Sequence, residues 1–354
     1  MSKQILMKGN EAIAEAAILA GCRHYFGYPI TPQTEIPEYL SRRLPQVDGV
    51  FVQAESEIAA INMVYGAAAA GVRAMTSSSG PGLSLKQETL SSLAAAELPC
   101  VVVNISRGGP GIGTIQGAQG DYFQSTRGGG HGDYRLLVLA PASVQELVDL
   151  TVLAFDRADA YRNPVLILGD GVLGQMMEPV TLPGPVSSLP EKPWAASGER
   201  GRGHTNTITT LYLQTGPCEA HNRHLQDKYA RMAEAEVRWQ EYETEDADLI
   251  LVAFGISARI AMSAMHEARQ AGLKVGVFRP VSLWPFPYAP LAGLARKAKG
   301  FLVVEQNAGQ MVEDVRLAVE CLAPVRFHGR TGGSLPDPGD ILAELTALHA
   351  GGGN

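Results

Sequence analysis

The fold is decided at Tyr28-Pro29-Ile30-Thr31-Pro32-Gln33 and, one predicted strand later, at Glu55-Ser56-Glu57. Each stretch lies where an apolar strand ends and a helix is expected to begin. In open α/β folds, ligands bind in the crevice beyond the carboxyl ends of the strands. Two such turns in succession, one with a hydroxyl group and one with carboxylates, therefore predict a polar pocket at the edge of a rigid sheet.

Predicted strands and helices alternate outward from these two turns. Asn10 is expected to cap the first helix, and Thr31 followed by Pro32 is expected to cap another that runs to about Leu44. The run Val101-Val102-Val103 is continuously apolar, as in a parallel strand buried on both faces. Strands are predicted at 24–28, 50–53, 72–76, 100–105, 136–139 and 165–168. This alternation predicts a doubly wound parallel α/β domain.

Composition divides the chain into three parts. Pro, Gly, Ser and Thr accumulate from Pro179 to Pro217, and a polar helix is predicted from Glu219 to about Glu243. Its thin apolar stripe consists of Leu225, Tyr229, Met232 and Trp239. A second alternation of strand and helix starts at Asp248. We therefore predict a first domain over residues 1–178, a linker or arm with a connecting helix over 179–246, and a second α/β domain over 247–354.

Charge and cysteine content exclude several classes of protein. The net charge is -7 and no dense stripe of Lys and Arg occurs, which argues against a nucleic-acid partner. No apolar run approaches a membrane span and no signal peptide is recognisable, so a soluble chain without a membrane partner is expected. The cysteines are far apart, which predicts reduced thiols in the cytoplasm rather than a metal site: Cys22, Cys100, Cys218 and Cys321.

Several motifs, taken in order, resemble one family. They are Gly27-Tyr28-Pro29-Ile30-Thr31-Pro32, Glu57 with Ala60 and Gly66, Ser79-Gly80-Pro81-Gly82 and Arg107-Gly108-Gly109-Pro110. Together they resemble the alpha subunit of the 2-oxoacid:ferredoxin oxidoreductases. This resemblance implies a thiamine-diphosphate-binding domain of the pyrimidine type, doubly wound and parallel.

The second half of the chain agrees with the same family. Two stretches resemble the transketolase C-terminal-type α/β domain of these subunits: Val275-Gly276-Val277-Phe278-Arg279-Pro280 and Val303-Val304-Glu305-Gln306-Asn307-Ala308-Gly309-Gln310. Within the family, the chain length and Gly130-His131-Gly132-Asp133-Tyr134-Arg135 resemble the branched-chain (2-oxoisovalerate) type most, and the 2-oxoglutarate type is close.

The resemblance also implies a chemistry. Members of this family decarboxylate a 2-oxoacid on thiamine diphosphate, pass two electrons singly to iron–sulfur clusters and transfer the acyl group to coenzyme A. The cofactor carries the difficult chemistry, and the protein supplies a carboxyl group hydrogen-bonded to the aminopyrimidine ring. The resemblance places this role on Glu57, which we expect to be buried at a subunit interface, with Glu55 as the other candidate. The alternative is that Glu57 only complements the dipole of its helix.

Substrate contacts are carried over in the same way. In the family, the threonine that matches Thr31 hydrogen-bonds the substrate or the thiamine adduct, and Tyr28, Pro29 and Ile30 would shape the same pocket. The arginine that matches Arg107 contacts the substrate carboxylate. The alternatives are a simple helix cap for Thr31 and a surface position on a flexible loop for Arg107. Further candidates for the entrance are Gln119, Asp121, His131 and Asp133.

Two other patterns are weaker. Gly169-Asp170-Gly171 resembles the start of the thiamine diphosphate metal motif, which needs an asparagine further along. No asparagine occurs between Asn163 and Asn206, so we interpret it as a turn at a strand end. Cys218, His221 and His224 have loose metal-ligand spacing, but a polar helix surface explains them better.

This chain is therefore expected to hold half of an active site. The diphosphate and Mg²⁺ are expected on a partner beta subunit, and the 4Fe–4S clusters on a gamma or delta subunit or on the beta chain, with ferredoxin as electron acceptor. Alone, the chain should be inactive. Two rival functions stay open: a transketolase-like or sulfopyruvate-type thiamine decarboxylase that does not use ferredoxin, and a non-catalytic assembly subunit.

Overall fold

The chain is described by a computed structural model over residues 4–351, and strands and helices alternate through it. The strands are β1 (Ile5–Lys8), β2 (His24–Gly27), β3 (Val50–Gln53), β4 (Ala74–Ser78), β5 (Val101–Ser106), β6 (Leu137–Leu139), β7 (Val165–Asp170), β8 (Met177–Val180), β9 (Trp239–Tyr242), β10 (Leu249–Val252), β11 (Val275–Pro280), β12 (Ser282–Trp284), β13 (Gly300–Glu305) and β14 (Val325–Gly329). The helices are α1 (Gly9–Leu19), α2 (Glu35–Arg43), α3 (Glu57–Ala69), α4 (Pro81–Ser84), α5 (Gln87–Ala95), α6 (Tyr122–Arg127), α7 (Val144–Tyr161), α8 (Gly171–Gln175), α9 (Thr215–Ala235), α10 (Gly255–Gln270), α11 (Tyr288–Ala295), α12 (Met311–Val319) and α13 (Pro338–Gly351).

The first half of the chain builds a seven-stranded sheet. Its order is β12-β6-β7-β5-β4-β2-β3, and the six strands from the first half are all parallel. Every residue of β5 and β7 is buried, as expected for central strands covered by helices on both faces. The predicted doubly wound parallel domain is confirmed. Its carboxyl edge carries the turns after β2, β3, β4 and β5, which hold the candidate site residues.

The second half builds a five-stranded sheet in the order β14-β13-β10-β11-β9. The first four strands are parallel, and β9 runs antiparallel to β11. Helix α10 packs against α13 over this sheet. A buried apolar cluster joins them, with Leu251, Ala261, Val277 and Leu345 among its members.

The two sheets share one interior. Strand β12 from the second half adds to the edge of the first sheet, antiparallel to β6. Phe254, Phe278 and Phe301 belong to the same apolar cluster as the strands of the first sheet. The hydroxyl of Tyr122 donates to Asp314 Oδ2 at 2.6 Å across the seam. The division into residues 1–178, 179–246 and 247–354 stays a prediction.

Two of the predicted helix caps are wrong. Helix α1 begins at Gly9, and Asn10 is buried, with its Nδ2 donating to Pro32 O at 2.8 Å and to Glu35 Oε2 at 2.7 Å. Helix α2 begins at Glu35, so Thr31 lies in a turn before it. The reason is a long-range contact: the buried Gln33 accepts a hydrogen bond from Ser77 Oγ at 2.5 Å and ties this turn to the sheet.

The helix predicted from Glu219 to about Glu243 is also partly wrong. Helix α9 spans Thr215–Ala235, and Trp239 lies in β9, which pairs with β11. The helix ends where the buried Glu236 accepts hydrogen bonds from Arg157 Nε at 3.0 Å and the Tyr161 hydroxyl at 2.9 Å. The rest of the predicted stripe is buried: Leu225, Tyr229 and Met232. Over residues 4–351, none of the helices combines the length and the apolar character needed to cross a membrane.

Candidate functional site

The two acids of the second turn lie in different environments. Ser56 caps α3, with its Oγ accepting from the Ala59 N–H at 3.2 Å. Glu55 precedes this cap and is exposed, whereas Glu57 begins the helix and is only 7% exposed. Residues two apart cannot point the same way on a helix, and the fold buries Glu57 of the pair. Glu57 is therefore the carboxyl group available to the interior of the crevice.

The Glu57 carboxyl lies against the backbone of α4. A Cβ atom built on Gly82 would lie 2.6 Å from Glu57 Oε1 and would also collide with Ser78 Oγ. Only glycine allows the carboxyl group this close. None of the residues that the structure describes donates a hydrogen bond to Glu57. The hydroxyls of Ser78 and Ser79 are fully enclosed and have no partners among the described residues. Buried polar groups without partners are rare, so this wall is chemically incomplete on its own.

Arg107 is fixed at the end of β5. It is 9% exposed, and its Nη1 donates to Thr31 O at 2.9 Å while its Nη2 donates to Ile112 O at 3.0 Å. An isolated β-bridge pairs Arg107 with Gly117. The alternative of a surface arginine on a flexible loop is therefore wrong. A guanidinium has five N–H donors, so Arg107 retains one on each Nη nitrogen, and its Nε has no partner.

One turn brings the candidate residues together. In Gly80-Pro81-Gly82, Gly82 faces Glu57, and a Cβ atom on Gly80 would lie 3.5 Å from Arg107 Cγ. Arg107 in turn holds the carbonyl of Thr31. The remaining residues of the first motif lie at the surface: Tyr28, Pro29 and Thr31 are exposed and Ile30 is half-buried. The structure thus assembles residues from β2, β3, β4 and β5 around one edge.

One cavity is lined by Arg107 and a second by Thr31, whose carbonyl Arg107 binds. One of about 940 Å³ lies between the loop after β5 and the loops of the second sheet, with Arg107, Ile112, Asp121 and Gln306 in its wall. The other, of about 730 Å³, is lined by Thr31, Ile115 and Gln175. The Arg107–Thr31 hydrogen bond lies where these linings meet. Arg107 can therefore present donors to a ligand in the larger cavity.

Asp121 is the acid of the larger cavity. Its Oδ2 accepts from Asn104 Nδ2 at 2.8 Å and Ser106 Oγ at 3.1 Å. Burial raises the pKa of Asp121, although these hydrogen bonds and the charge of Arg107 oppose the rise. Asp121 lines the cavity as expected from the sequence.

The other entrance candidates lie elsewhere. Gln119 is buried in the seam between the sheets, where its Nε2 donates to Phe254 O at 2.8 Å and its Oε1 accepts from Ser257 Oγ at 2.8 Å. His131 and Asp133 border a separate cavity of about 320 Å³ beside α9. Their expected position at the entrance was wrong, because partners distant in sequence determine where this loop runs.

The weaker patterns have structural explanations. Asp170 caps α8, with Oδ1 accepting from the Val172 and Leu173 N–H groups, each at 3.0 Å, and Oδ2 accepting from the Ile256 N–H at 3.2 Å. Burial raises the pKa of Asp170 to about 6. The interpretation as a turn at a strand end is confirmed.

The histidines of α9 contact the end of α5 and the residues just after it. The His221 Nε2 atom contacts Ala95 O at 2.7 Å, and the His224 Nε2 atom contacts Glu97 Oε1 at 3.1 Å. Between residues 4 and 351, no three His, Cys, Asp or Glu side chains group as metal ligands.

Lys86 is a buried residue that the sequence reasoning did not identify. It directly precedes α5 and is fully buried. The available signal was helical periodicity, because Lys86 lies three residues after Leu83 and four before Leu90, and both leucines are fully buried. Lysine on an apolar stripe is rarely buried without a reason.

Comparison with known proteins identifies the same family that the motifs resemble. Residues 15–244 match the family model of pyruvate flavodoxin/ferredoxin oxidoreductase, thiamine diphosphate-binding, and residues 247–341 match pyruvate:ferredoxin oxidoreductase core domain II. The chain is 52% identical to ketoisovalerate oxidoreductase subunit VorB of Methanothermobacter thermautotrophicus over 96% of both chains. It is 38% identical to 2-oxoglutarate synthase subunit KorA of the same organism, over 99% of this chain and 100% of that one.

Solved structures agree with the family models. The fold is similar, with a TM-score of 0.86 and 28% identity, to 2-oxoglutarate:ferredoxin oxidoreductase from Magnetococcus marinus with 2-oxoglutarate, coenzyme A and succinyl-CoA bound. That similarity covers 98% of this chain and 65% of the other. The resemblance found in the motifs is confirmed. The chain therefore belongs to the 2-oxoacid:ferredoxin oxidoreductase family, as a subunit with the thiamine diphosphate-binding domain and core domain II.

Proposed function

We propose that this chain is the alpha subunit of a CoA-acylating 2-oxoacid:ferredoxin oxidoreductase. The reaction converts a 2-oxoacid and coenzyme A to acyl-CoA and CO₂ and reduces ferredoxin. One observation carries the proposal: the buried Glu57 carboxyl has no hydrogen-bond donor within the described chain, and it shares the Gly80-Pro81-Gly82 turn with Arg107. A carboxyl group held in this way can bind a ligand and contributes no hydrogen bond to the fold.

Thiamine diphosphate is the proposed ligand of that carboxyl group. Glu57 would hold the aminopyrimidine ring through one hydrogen bond, and the wall beside it would be formed by Tyr28, Pro29, Ile30 and Thr31. The buried, unpartnered hydroxyls of Ser78 and Ser79 fit a polar ring edge. When bound, the cofactor supplies the electron sink for decarboxylation. The chain's contribution is to bind and orient the ring and to exclude water from its reactive side.

Arg107 and Thr31 would position the 2-oxoacid. The free N–H groups of Arg107 can take a carboxylate through charge-assisted hydrogen bonds. Arg107 binds the Thr31 carbonyl, and no described residue bonds the Thr31 hydroxyl, so this hydroxyl is available for the substrate or its adduct. Asn10 donates to the Pro32 carbonyl, and Gln33 accepts from Ser77, so the turn that carries Thr31 is fixed. The Thr31 hydroxyl and the Arg107 guanidinium are therefore oriented before a ligand binds.

Partner subunits would complete the site. We assign the diphosphate and Mg²⁺ to the beta subunit, because the carboxylate oxygens of Asp170 are occupied by backbone N–H groups. The 4Fe–4S clusters that deliver electrons to ferredoxin would lie on the beta, gamma or delta chains. Cys22 and Cys100 are buried and all the cysteines are unpaired thiols, which fits a cytoplasmic enzyme. The exposed Tyr28, Pro29 and Thr31 would be covered by the beta subunit.

A branched-chain 2-oxoacid is the proposed substrate, with 2-oxoglutarate next. Identity to the ketoisovalerate oxidoreductase subunit exceeds identity to the 2-oxoglutarate synthase subunit, 52% against 38%. Beside Arg107, the Ile112 side chain is 82% exposed and lines the larger cavity. An apolar side chain next to the carboxylate-binding group favours an apolar substrate over one with a second carboxylate. Apolar pockets discriminate a single methylene only weakly.

The test is made on the native complex. The complex should be brown from its clusters and should reduce a viologen dye with coenzyme A and 2-oxoisovalerate faster than with 2-oxoglutarate or pyruvate. Glu57→Gln should lower turnover of the reconstituted complex by about 1,000-fold, while Glu55→Gln, the matched control two residues away, should retain it. A colourless thiamine enzyme would favour the rival that does not use ferredoxin. Full turnover of the assembled Glu57→Gln complex would favour the assembly subunit.

A further inference from the structure

A chain of buried hydrogen bonds connects β2 and β4 to the turn after β2. The Tyr25 hydroxyl lies 2.7 Å from Ser77 Oγ, and Ser77 Oγ donates to Gln33 Oε1 at 2.5 Å. Gln33 donates from Nε2 to Tyr28 O at 3.4 Å and from its backbone N–H to Ile30 O at 3.1 Å. The side chains of Tyr25, Gln33 and Ser77 are fully buried. These bonds therefore form in an interior from which water is excluded.

The hydrogen bonds of this chain can run in one direction only. A backbone carbonyl accepts and does not donate, so Gln33 presents its NH₂ group to Tyr28 O and its amide oxygen to Ser77. The amide oxygen also accepts, so the single hydroxyl proton of Ser77 goes to Gln33 and Tyr25 donates to Ser77. Ser77 is therefore the residue that fixes which way the Gln33 amide faces.

Gly27 makes room for the Tyr25 hydroxyl. A Cβ atom at Gly27 would lie 2.3 Å from the Tyr25 hydroxyl oxygen, which is closer than the two atoms can approach. Gly27 does not have a positive φ, so its backbone conformation does not require glycine. Glycine at the first position of the motif thus allows Tyr25 to reach Ser77.

Neighbouring serines at the end of β4 serve different parts of the site. Successive side chains of a strand point to opposite faces of the sheet. Ser77 bonds Gln33, whereas Ser78 faces α4, where a Cβ atom on Gly82 would lie 2.3 Å from Ser78 Oγ. Lys86 Nζ donates to Ser77 O at 3.2 Å and so helps to hold the backbone of this serine. The Ser77 hydroxyl is therefore committed to the turn after β2.

The end of that turn is held by other residues. Arg107 donates to Thr31 O at 2.9 Å, and Asn10 Nδ2 donates to Pro32 O at 2.8 Å. The Thr31 hydroxyl has no hydrogen-bond partner among the described residues, so the backbone of the turn determines where it points. If Gln33 lost its orientation, the start of the turn would be released while the contact with Arg107 remained. The Thr31 hydroxyl would then shift relative to the guanidinium.

We propose that Ser77 is a positioning residue for the 2-oxoacid. By orienting the Gln33 amide, Ser77 fixes the turn so that the Thr31 hydroxyl faces the substrate, and it does so without contact with the substrate or the cofactor. Binding of the cofactor ring at Glu57 does not depend on this chain of hydrogen bonds. The proposal rests on the proposed function, since it presumes that Thr31 contacts the substrate.

The experiment uses the assembled complex with Ser77→Ala, Ser77→Thr or Tyr25→Phe, assayed with 2-oxoisovalerate, coenzyme A and a viologen dye. Ser77→Ala should raise KM for 2-oxoisovalerate by about 10-fold, with a smaller change in kcat, because one buried hydrogen bond is lost. Ser77→Thr keeps the hydroxyl and should keep the wild-type KM. Tyr25→Phe should raise KM less, since Ser77 can still donate to Gln33. The affinity of the cofactor-free complex for thiamine diphosphate, measured by calorimetry, should not change in any of these variants.

Tyr161→Phe is the matched control for the loss of a hydroxyl group. The Tyr161 hydroxyl donates to Glu236 Oε1 at 2.9 Å, beside the end of α9. Tyr161→Phe should leave KM for 2-oxoisovalerate unchanged. If KM rises as much in Tyr161→Phe as in Tyr25→Phe, the rise reports a general loss of stability and the inference is overturned. A fall in thiamine diphosphate affinity in Ser77→Ala would also overturn it.

Thr31→Val in the same assay separates the two proposals. If Thr31→Val raises KM while Ser77→Ala and Tyr25→Phe leave it at the wild-type value, Ser77 does not position the turn and the inference is overturned. If Thr31→Val leaves KM unchanged, Thr31 does not contact the substrate and that part of the proposed function is wrong. The double variant of Ser77→Ala with Thr31→Val should raise KM no further than Thr31→Val alone. Additive effects would mean that Ser77 acts without Thr31, which contradicts the inference.

Discussion

Glu57 and Glu305 are buried acids at corresponding places in the two halves of the chain, and the fold treats them in opposite ways. Glu305 ends β13, and its carboxylate accepts from the N–H groups of Met311 at 2.8 Å and Val312 at 3.0 Å and from Asn307 Nδ2 at 2.8 Å. Glu57 follows β3, and no described residue donates to it. Both carboxyls lie at the start of a helix beyond a parallel strand.

The difference separates a structural acid from a ligand-binding one. Glu305 takes the role of an N-cap for α12, because its carboxylate oxygens accept hydrogen bonds from the first N–H groups of that helix. At α3 that task belongs to Ser56, so the Glu57 carboxyl is not needed by its own helix. The largely buried Glu57 carboxyl receives no hydrogen bond from the described residues, which costs stability. Such a cost is usual where a site is prepared for a ligand.

The largest effect is expected from exchanging carboxyl for amide at Glu57. In the assembled complex, Glu57→Gln should lower kcat by about 1,000-fold, because the group that orients the ring is lost. The urea midpoint of the chain should not fall, since no hydrogen bond within the described chain is removed. Assembly is checked by gel filtration. A lowered midpoint with normal turnover would make Glu57 a structural acid like Glu305.

A methyl group added at Gly82, next to the Glu57 carboxyl, should lower turnover almost as strongly as Glu57→Gln. Gly82→Ala places its Cβ 2.6 Å from Glu57 Oε1 and must displace the carboxyl group. We expect turnover to fall by about 100-fold through misplacement, measured on the assembled complex. Gly293→Ala, in helix α11 with open space around its Cα, is the matched control and should retain activity. Equal activity of the two variants would contradict the placement of Glu57.

The same exchange at Glu305 should affect stability instead. Glu305→Gln retains one acceptor oxygen and leaves at least one buried N–H of α12 unsatisfied. The free energy of unfolding should fall by about 2 kcal/mol, measured by urea unfolding of the full chain. Loss of thiamine diphosphate affinity without this destabilisation would remove the contrast between the two acids.

The sequence predicted the strands well because their signal is local. Continuous apolar runs such as Val101-Val102-Val103 locate a buried parallel strand without knowledge of its neighbours. Local capping chemistry was misleading at Asn10 and Thr31, since both are held by residues distant in sequence. Strand β9 was missed for the same reason, because Trp239 joins a sheet only by pairing with Pro280.

The candidate site was predicted unevenly. Motif order brought Glu57, Thr31 and Arg107 to attention, and the structure assembles all three around one turn. Their roles as cofactor and substrate contacts stay predictions. Gln119 was misplaced because its partners Phe254 and Gln306 come from the second half. Lys86 was overlooked because charged residues are expected at the surface, although its spacing from Leu83 and Leu90 indicated burial.

The smallest effect on activity is expected at a third buried acid, Asp170, whose oxygens are occupied like those of Glu305. Burial raises the pKa of Asp170 from 3.8 to about 6. The folded chain therefore binds the proton more tightly than the unfolded chain does, and stability present below pH 4 is lost as pH rises to about 6. The slope should be about 1.4 kcal/mol per pH unit within this window.

Asp170→Asn tests this slope, because asparagine retains one acceptor for the α8 cap and cannot ionise. Urea unfolding from pH 4 to pH 7 should show the wild-type chain losing stability relative to Asp170→Asn until about pH 6 and no further change above it. The Asp170 oxygens are occupied by N–H groups of α8 and α10, so thiamine diphosphate affinity should not change. If the free energy of unfolding depends on pH in the same way for both chains, Asp170 is not desolvated. If Asp170→Asn changes the affinity for thiamine diphosphate, Asp170 belongs to the cofactor site.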